Sequence, residues 1–106
     1  MILFHYVDGR YTPVLICDVC EKRIVDGDLA AVVHRHGDPE QAELLPCMYV
    51  HKGACHDTAE TQMGGADNTG WQELETHLLF LLLNTKITPE KLAAERDRSD
   101  EIGYFP

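Results

Sequence analysis

Cys17-Asp18-Val19-Cys20 and His51-Lys52-Gly53-Ala54-Cys55-His56 are the two stretches on which the reading of this chain turns. Each carries a pair of metal-ligand residues at a spacing that one ion can bridge. A CxxC turn brings two sulfurs together. A His and a Cys four positions apart share one side of a helical turn, or reach one point from a strand end and the helix after it. A tetrahedral zinc site draws four soft or borderline ligands from two sequence-distant pairs. A short chain gains folding free energy from such a site. The expected ligands are Cys17, Cys20, His51 and Cys55, holding a structural zinc ion.

Two neighbours compete with that set. Cys47 stands four positions before His51, and strand alternation puts both on one face, so Cys47 could replace His51 and give an all-cysteine site. His56 follows Cys55 directly. The plainer readings are a small buried hydrophobe for Cys47 and a surface or supporting role for His56. A redox dithiol is the rival for the CxxC pair, but such a pair usually opens a helix in a βαβ unit, and the flanks here read as hairpin. Catalytic zinc needs an open coordination position and a general base. Neither HxE nor HExxH occurs, and Asp57 and Glu60 near the second pair suit the helix dipole.

Working outward, residues 2–7 (Ile-Leu-Phe-His-Tyr-Val) and 11–16 are rich in strand formers, and Asp8-Gly9 between them signals a hairpin. Cys17 to Lys22 reads as a zinc knuckle, with Glu21 and Lys22 in the region where many knuckles have glycine. Leu29 to His34 is β-prone. Residues 35–46 form a loop, with a helical turn from Pro39 to Leu44, and Cys47 to Val50 is a short strand. A helix over 53–63 carries Cys55 in its first turn. Glycines 64, 65 and 70 mark a loop. Residues 71–84 form a Leu-rich helix, and Thr88-Pro89 caps a further helix to about Arg98. Residues 99–106, with Tyr104 and Phe105, form a tail. The chain is read as one zinc-binding domain over 1–98.

A knuckle, a hairpin and a helix whose start supplies the second ligand pair resemble the treble-clef group of zinc fingers, over roughly residues 11–63. The chain also resembles small zinc-finger or zinc-ribbon proteins of bacteria and phages. The resemblance implies α+β architecture, zinc-stapled β-hairpins followed by two or three helices, and it implies no activity. His34-Arg35-His36 bears comparison with HNH-type nucleases, which also use a treble-clef-like frame. Asn68 and Asn84, the only asparagines, are badly placed for that motif.

Charge narrows the function. Asp and Glu number 18 against 9 Lys and Arg, a formal net charge of −9. Three thiolates and a dication would take this to about −10. Nucleic-acid backbone is bound by cations that displace phosphate counterions, so general nucleic-acid binding is disfavoured. The expectation is a non-enzymatic protein–protein interaction module, an adaptor or regulator, in the cytoplasm. No basic, apolar leader opens the chain, and no apolar run is long enough for a membrane. Two rival readings stand beside it. One is an acidic, nucleic-acid-mimicking inhibitor of a nuclease or defence complex. The other is a zinc-finger regulator that gathers Lys22, Arg23, Arg35 and Lys52 into a basic patch. In the 71–84 helix, Leu74, Leu78, Leu81 and Leu82 make one stripe, while Leu79, Phe80 and Leu83 spread apolar character around the other faces. The excess fits a homodimer or partner interface.

Overall fold

The computed structural model describes residues 1–101. It is α+β, with two small antiparallel sheets and three α-helices. β1 (Ile2–Val7) and β2 (Arg10–Leu15) form a two-stranded hairpin. Its loop is Asp8-Gly9, with φ of 51° and 78°. Two consecutive positive values give the turn whose twist matches that of the strands, and glycine in the second position takes it without strain.

The second sheet has the order β4-β3-β5. β3 (Ala30–Arg35) is central, pairing with β4 (Cys47–His51) on one side and β5 (Thr69–Glu73) on the other. The run Ala30-Ala31-Val32-Val33 is buried on both faces. Such small, apolar residues allow close approach from above and below. Ala31 and Val33 join Cys17, Ile24, Val50 and Ala59 in the core, and Leu15, Met48 and Met63 pack around them. Helix α1 (Ala54–Gln62) packs on β3 and β4, burying Ala59. Its N-cap, Gly53, has φ 93° and ψ −129°, a conformation that only glycine adopts without strain.

Between the sheets lies the cysteine turn. The backbone bridge Ile16–Arg23 closes it, and the Ile24 N–H donates to the Leu15 carbonyl at 2.8 Å. Inside, the Cys17 N–H donates to the Lys22 carbonyl at 2.9 Å and the Glu21 N–H to the Cys17 carbonyl at 3.0 Å. The order of knuckle, β3–β4 hairpin and α1 is the treble-clef-like arrangement expected. Residues 38–42 make hydrogen-bonded turns held by Asp38 and no helix.

The Leu-rich segment departs from expectation at its start. Trp71 lies in β5, and helix α2 runs Leu74–Asn84. Pairing with β3 gives the backbone of 69–73 a ladder, and Trp71, opposite Val33, packs as a strand residue. That tertiary gain overrides helical periodicity. Glu73, expected in the first turn of the helix, instead pairs with Lys52 at 2.6 Å. Leu74 reaches the core, but no residue of α2 is fully buried. Helix α3 (Pro89–Glu101) begins at the expected proline and extends past Arg98, so residues 99–101 are helical. The remainder of the expected tail, with Tyr104 and Phe105, lies outside the described residues. The described residues divide into two compact units, Met1–Glu75 and a second from Thr76 onward.

Glu21 has φ 62°, in the left-handed region. A Cβ there costs about 1–2 kcal/mol, part of which glycine forfeits through its freer unfolded chain. Glu21→Gly is therefore expected to stabilise the fold by about 0.5–1 kcal/mol, read by chemical denaturation at fixed metal loading. A loss of stability would show that the Glu21 side chain contributes more than its backbone strain costs.

Candidate metal centre

Four ligand atoms converge. One from each of Cys17, Cys20, His51 and Cys55 lies within 4.8 Å of all the others. Three elements supply them: the knuckle gives Cys17 and Cys20, the end of β4 gives His51, and the first turn of α1 gives Cys55. The Cys20 Sγ is 3.4 Å from His51 Nδ1. An ion about 2.3 Å from sulfur and about 2.0 Å from nitrogen, with tetrahedral angles, sets that edge at about 3.5 Å. His51 thus presents Nδ1 to the centre. These are the four residues expected from spacing.

The knuckle is aimed by a residue that the spacing argument missed. The Asp18 N–H donates to the Tyr49 carbonyl at 2.8 Å, and the Tyr49 N–H returns a 2.8 Å bond to Asp18 Oδ2. This reciprocal pair fixes the turn against β4 two residues before His51. Asp18 Oδ1 also accepts from the Met1 ammonium at 3.0 Å. Short acidic side chains readily bind nearby backbone donors, and an Asp inside a CxxC was the available signal.

Electrostatics at the centre are lopsided. Burial pushes the Cys17 thiol up, but N–H groups of Cys20, Val19 and His51 and the His51 ring together outweigh it, and the thiol falls to about 6. One of these donors, the Val19 N–H, is 3.4 Å from Cys17 Sγ. Cys55 moves the other way, up to about 11. Burial comes first, and the facing sulfurs of Cys17 and Cys20 add to it, since a second thiolate would repel the first. A cation at the point of convergence removes that conflict and lets all three sulfurs ionise. The set is unevenly exposed: Cys17 is buried, Cys55 half-buried and Cys20 exposed. With four protein ligands, a tetrahedral ion has no open position.

The competing residues fall elsewhere. Cys47 does share a strand face with His51, but four residues of strand separate them by about 13 Å, too far for one ion. It lies beside Tyr49, whose hydroxyl is pushed up to about 12 by burial first and then by Cys47 and Asp18. His56 Nε2 sits 2.9 Å from Glu60 Oε1, near enough for an ion pair though badly directed for a hydrogen bond. Its ring meets Trp71 edge-on, centroids 5.2 Å apart. His56 therefore ties α1 to β5. His34 and His36 stand over Gly70, where any Cβ would come within 2.9 Å of His34 Nε2. Among the described residues, neither belongs to a group of three or more that could hold an ion. No family model, characterised protein or solved structure matches this chain.

Cys17→Ser is expected to weaken metal binding by more than about 100-fold, beyond what loss of a supporting residue causes. Asp18→Ala should cost about tenfold, while Cys47→Ser and His56→Ala keep one ion per chain. Competition against a chromophoric chelator measures all four. A loss of stoichiometric metal in Cys47→Ser would reassign the site. The pH dependence has a definite sign. Binding displaces the Cys55 proton throughout the neutral range, and the Cys17 proton as well only below about pH 6. Apparent affinity should therefore rise about tenfold or more per unit between about pH 7 and about pH 9. A flat profile there would contradict the Cys55 assignment.

Proposed function

We propose that this chain is a structural-zinc protein whose work is binding another protein, as an adaptor or regulator, without catalysis of its own. The observation that carries the zinc reading is the closed set of Cys17, Cys20, His51 and Cys55. Three thiolates and one imidazole in a tetrahedron suit Zn²⁺, which imposes no geometry of its own and does no redox chemistry. A four-ligand site leaves no place for a metal-bound water, so it supports a staple rather than a hydrolase. The order of knuckle, β3–β4 hairpin and α1 resembles the treble-clef arrangement of small zinc fingers, which supports the same reading. Thiolate ligands also favour a reducing compartment, for which the cytoplasm is the natural choice. Among the described residues, no helix is long and apolar enough to cross a membrane.

The interaction reading is supported by α2. Leu79, Phe80 and Leu83 are each half-exposed, and Leu78 and Leu81 only slightly less so. A helix that is apolar on every face and fully buried on none needs a cover. A protein partner supplies one. The nucleic-acid regulator is less well supported. Of its four proposed cations, Lys52 is paired with Glu73 at 2.6 Å and lies over the Trp71 ring.

The test is to recover partners from the native host with wild-type protein and with Leu79→Glu/Phe80→Glu. The expected result is one specific protein, held by the wild type and lost from the variant, while metal content stays at one ion per chain. A partner retained by the variant would remove α2 from the interface. Tight binding to duplex DNA at low salt would favour the regulator instead.

A further inference from the structure

The β1–β2 hairpin has two unlike faces. Cross-strand register places Ile2, Phe4 and Tyr6 of β1 on the same side as Tyr11, Pro13 and Leu15 of β2. Leu3, His5 and Val7 share the other side with Arg10, Thr12 and Val14. The first face is apolar or aromatic along its whole length and carries no charge. Leu15, at its base, packs against the core. The other five are exposed, with Ile2, Phe4, Tyr6 and Tyr11 between 60% and 74% accessible. The second face holds Arg10 and His5, and its Val14 is buried.

Two strands with such a face are marginal by themselves, and a third layer or further strands are normally required. The tyrosine rings already lean together, centroids 5.0 Å apart. This is a preformed aromatic platform on a hairpin anchored at its base, where the Ile16 N–H donates to the Met1 carbonyl at 2.8 Å.

We propose that this face is the contact between two copies of the chain, packed sheet on sheet about a two-fold axis. The area is sufficient. With about 200 Å² for a whole aromatic side chain, the five exposed residues offer roughly 550 Å² per copy. Two copies can then bury up to roughly 1,100 Å², which reaches the threshold of about 1,000 Å² for a specific interface. Charge restricts where two copies can meet. Two chains of net charge −9 repel each other. They can meet closely only on a patch without carboxylates, and this face is one. A cationic partner drawn to the acidic surface finds no group here to pair with. A two-fold contact also requires one patch to complement itself, and stacked aromatic and aliphatic side chains do so readily. The assignment stands independently of what covers α2, and it places self-association on the hairpin rather than on Leu79, Phe80 and Leu83.

The experiment is sedimentation equilibrium of the full, zinc-loaded chain from about 1 µM to about 100 µM, the range that a contact of this size addresses. A monomer–dimer equilibrium is expected. Phe4→Glu should weaken it more than tenfold, whereas His5→Glu, with the same charge on the opposite face of the same strand, should change it less than twofold. Leu79→Glu/Phe80→Glu should leave it intact. Hydroxyl-radical labelling of the wild type reads the same contact without any substitution: Tyr6 and Tyr11 should become protected as concentration rises, and Tyr49 should not. A monomer throughout the range overturns the proposal. So does a dimer that tolerates Phe4→Glu, one equally sensitive to His5→Glu, or one lost only with the α2 substitutions.

Discussion

Three sulfurs and one imidazole nitrogen are brought to a single point by segments that otherwise have little reason to meet. That convergence is the constraint from which the first compact unit takes its shape. A thiolate at Cys17 is favoured by three backbone donors, yet the same charge holds the proton on Cys55. Without a cation the site is frustrated, and with one it joins the knuckle, the end of β4 and the start of α1. The surrounding bonds serve this geometry. Asp18 clamps the turn to Tyr49, and Gly53 lets the chain reverse between His51 and Cys55. The small residues of β3 allow knuckle and helix to approach the same strand.

Much of this was legible in the chain. CxxC followed by a His-x3-Cys pair named the four ligands, because metal chemistry restricts both residue type and spacing. Asp8-Gly9 named the first hairpin, and Thr88-Pro89 the start of α3. What escaped had no local signature. β5 is a strand only because β3 offers it a partner, so Trp71 and Glu73 were read with the leucines that follow them. Asp18 was hidden because its role depends on Tyr49, thirty-one residues away. Cys47 shared the right face with His51 and failed on distance along the strand, which alternation alone does not measure.

Apolar surface and acidic charge divide the remaining labour. The core around the candidate metal site is small and built mainly of alanine and valine, and it leaves larger side chains outside. The hairpin face and α2 are where those side chains collect, one in each compact unit. Between two chains of this much negative charge, repulsion is least where uncharged patches face each other. Two such patches, one on a strand platform and one on a helix, are the surfaces on which the two proposed contacts rest.

Metal stoichiometry with coordination geometry bears on all of this at once. Purified, reduced protein should carry one zinc ion per chain. X-ray absorption should show three sulfur neighbours near 2.3 Å and one nitrogen near 2.0 Å. A chelator strong enough to remove the ion should abolish the cooperative unfolding transition of the first unit. Protein that holds no stoichiometric metal and unfolds identically with the chelator present would contradict the account.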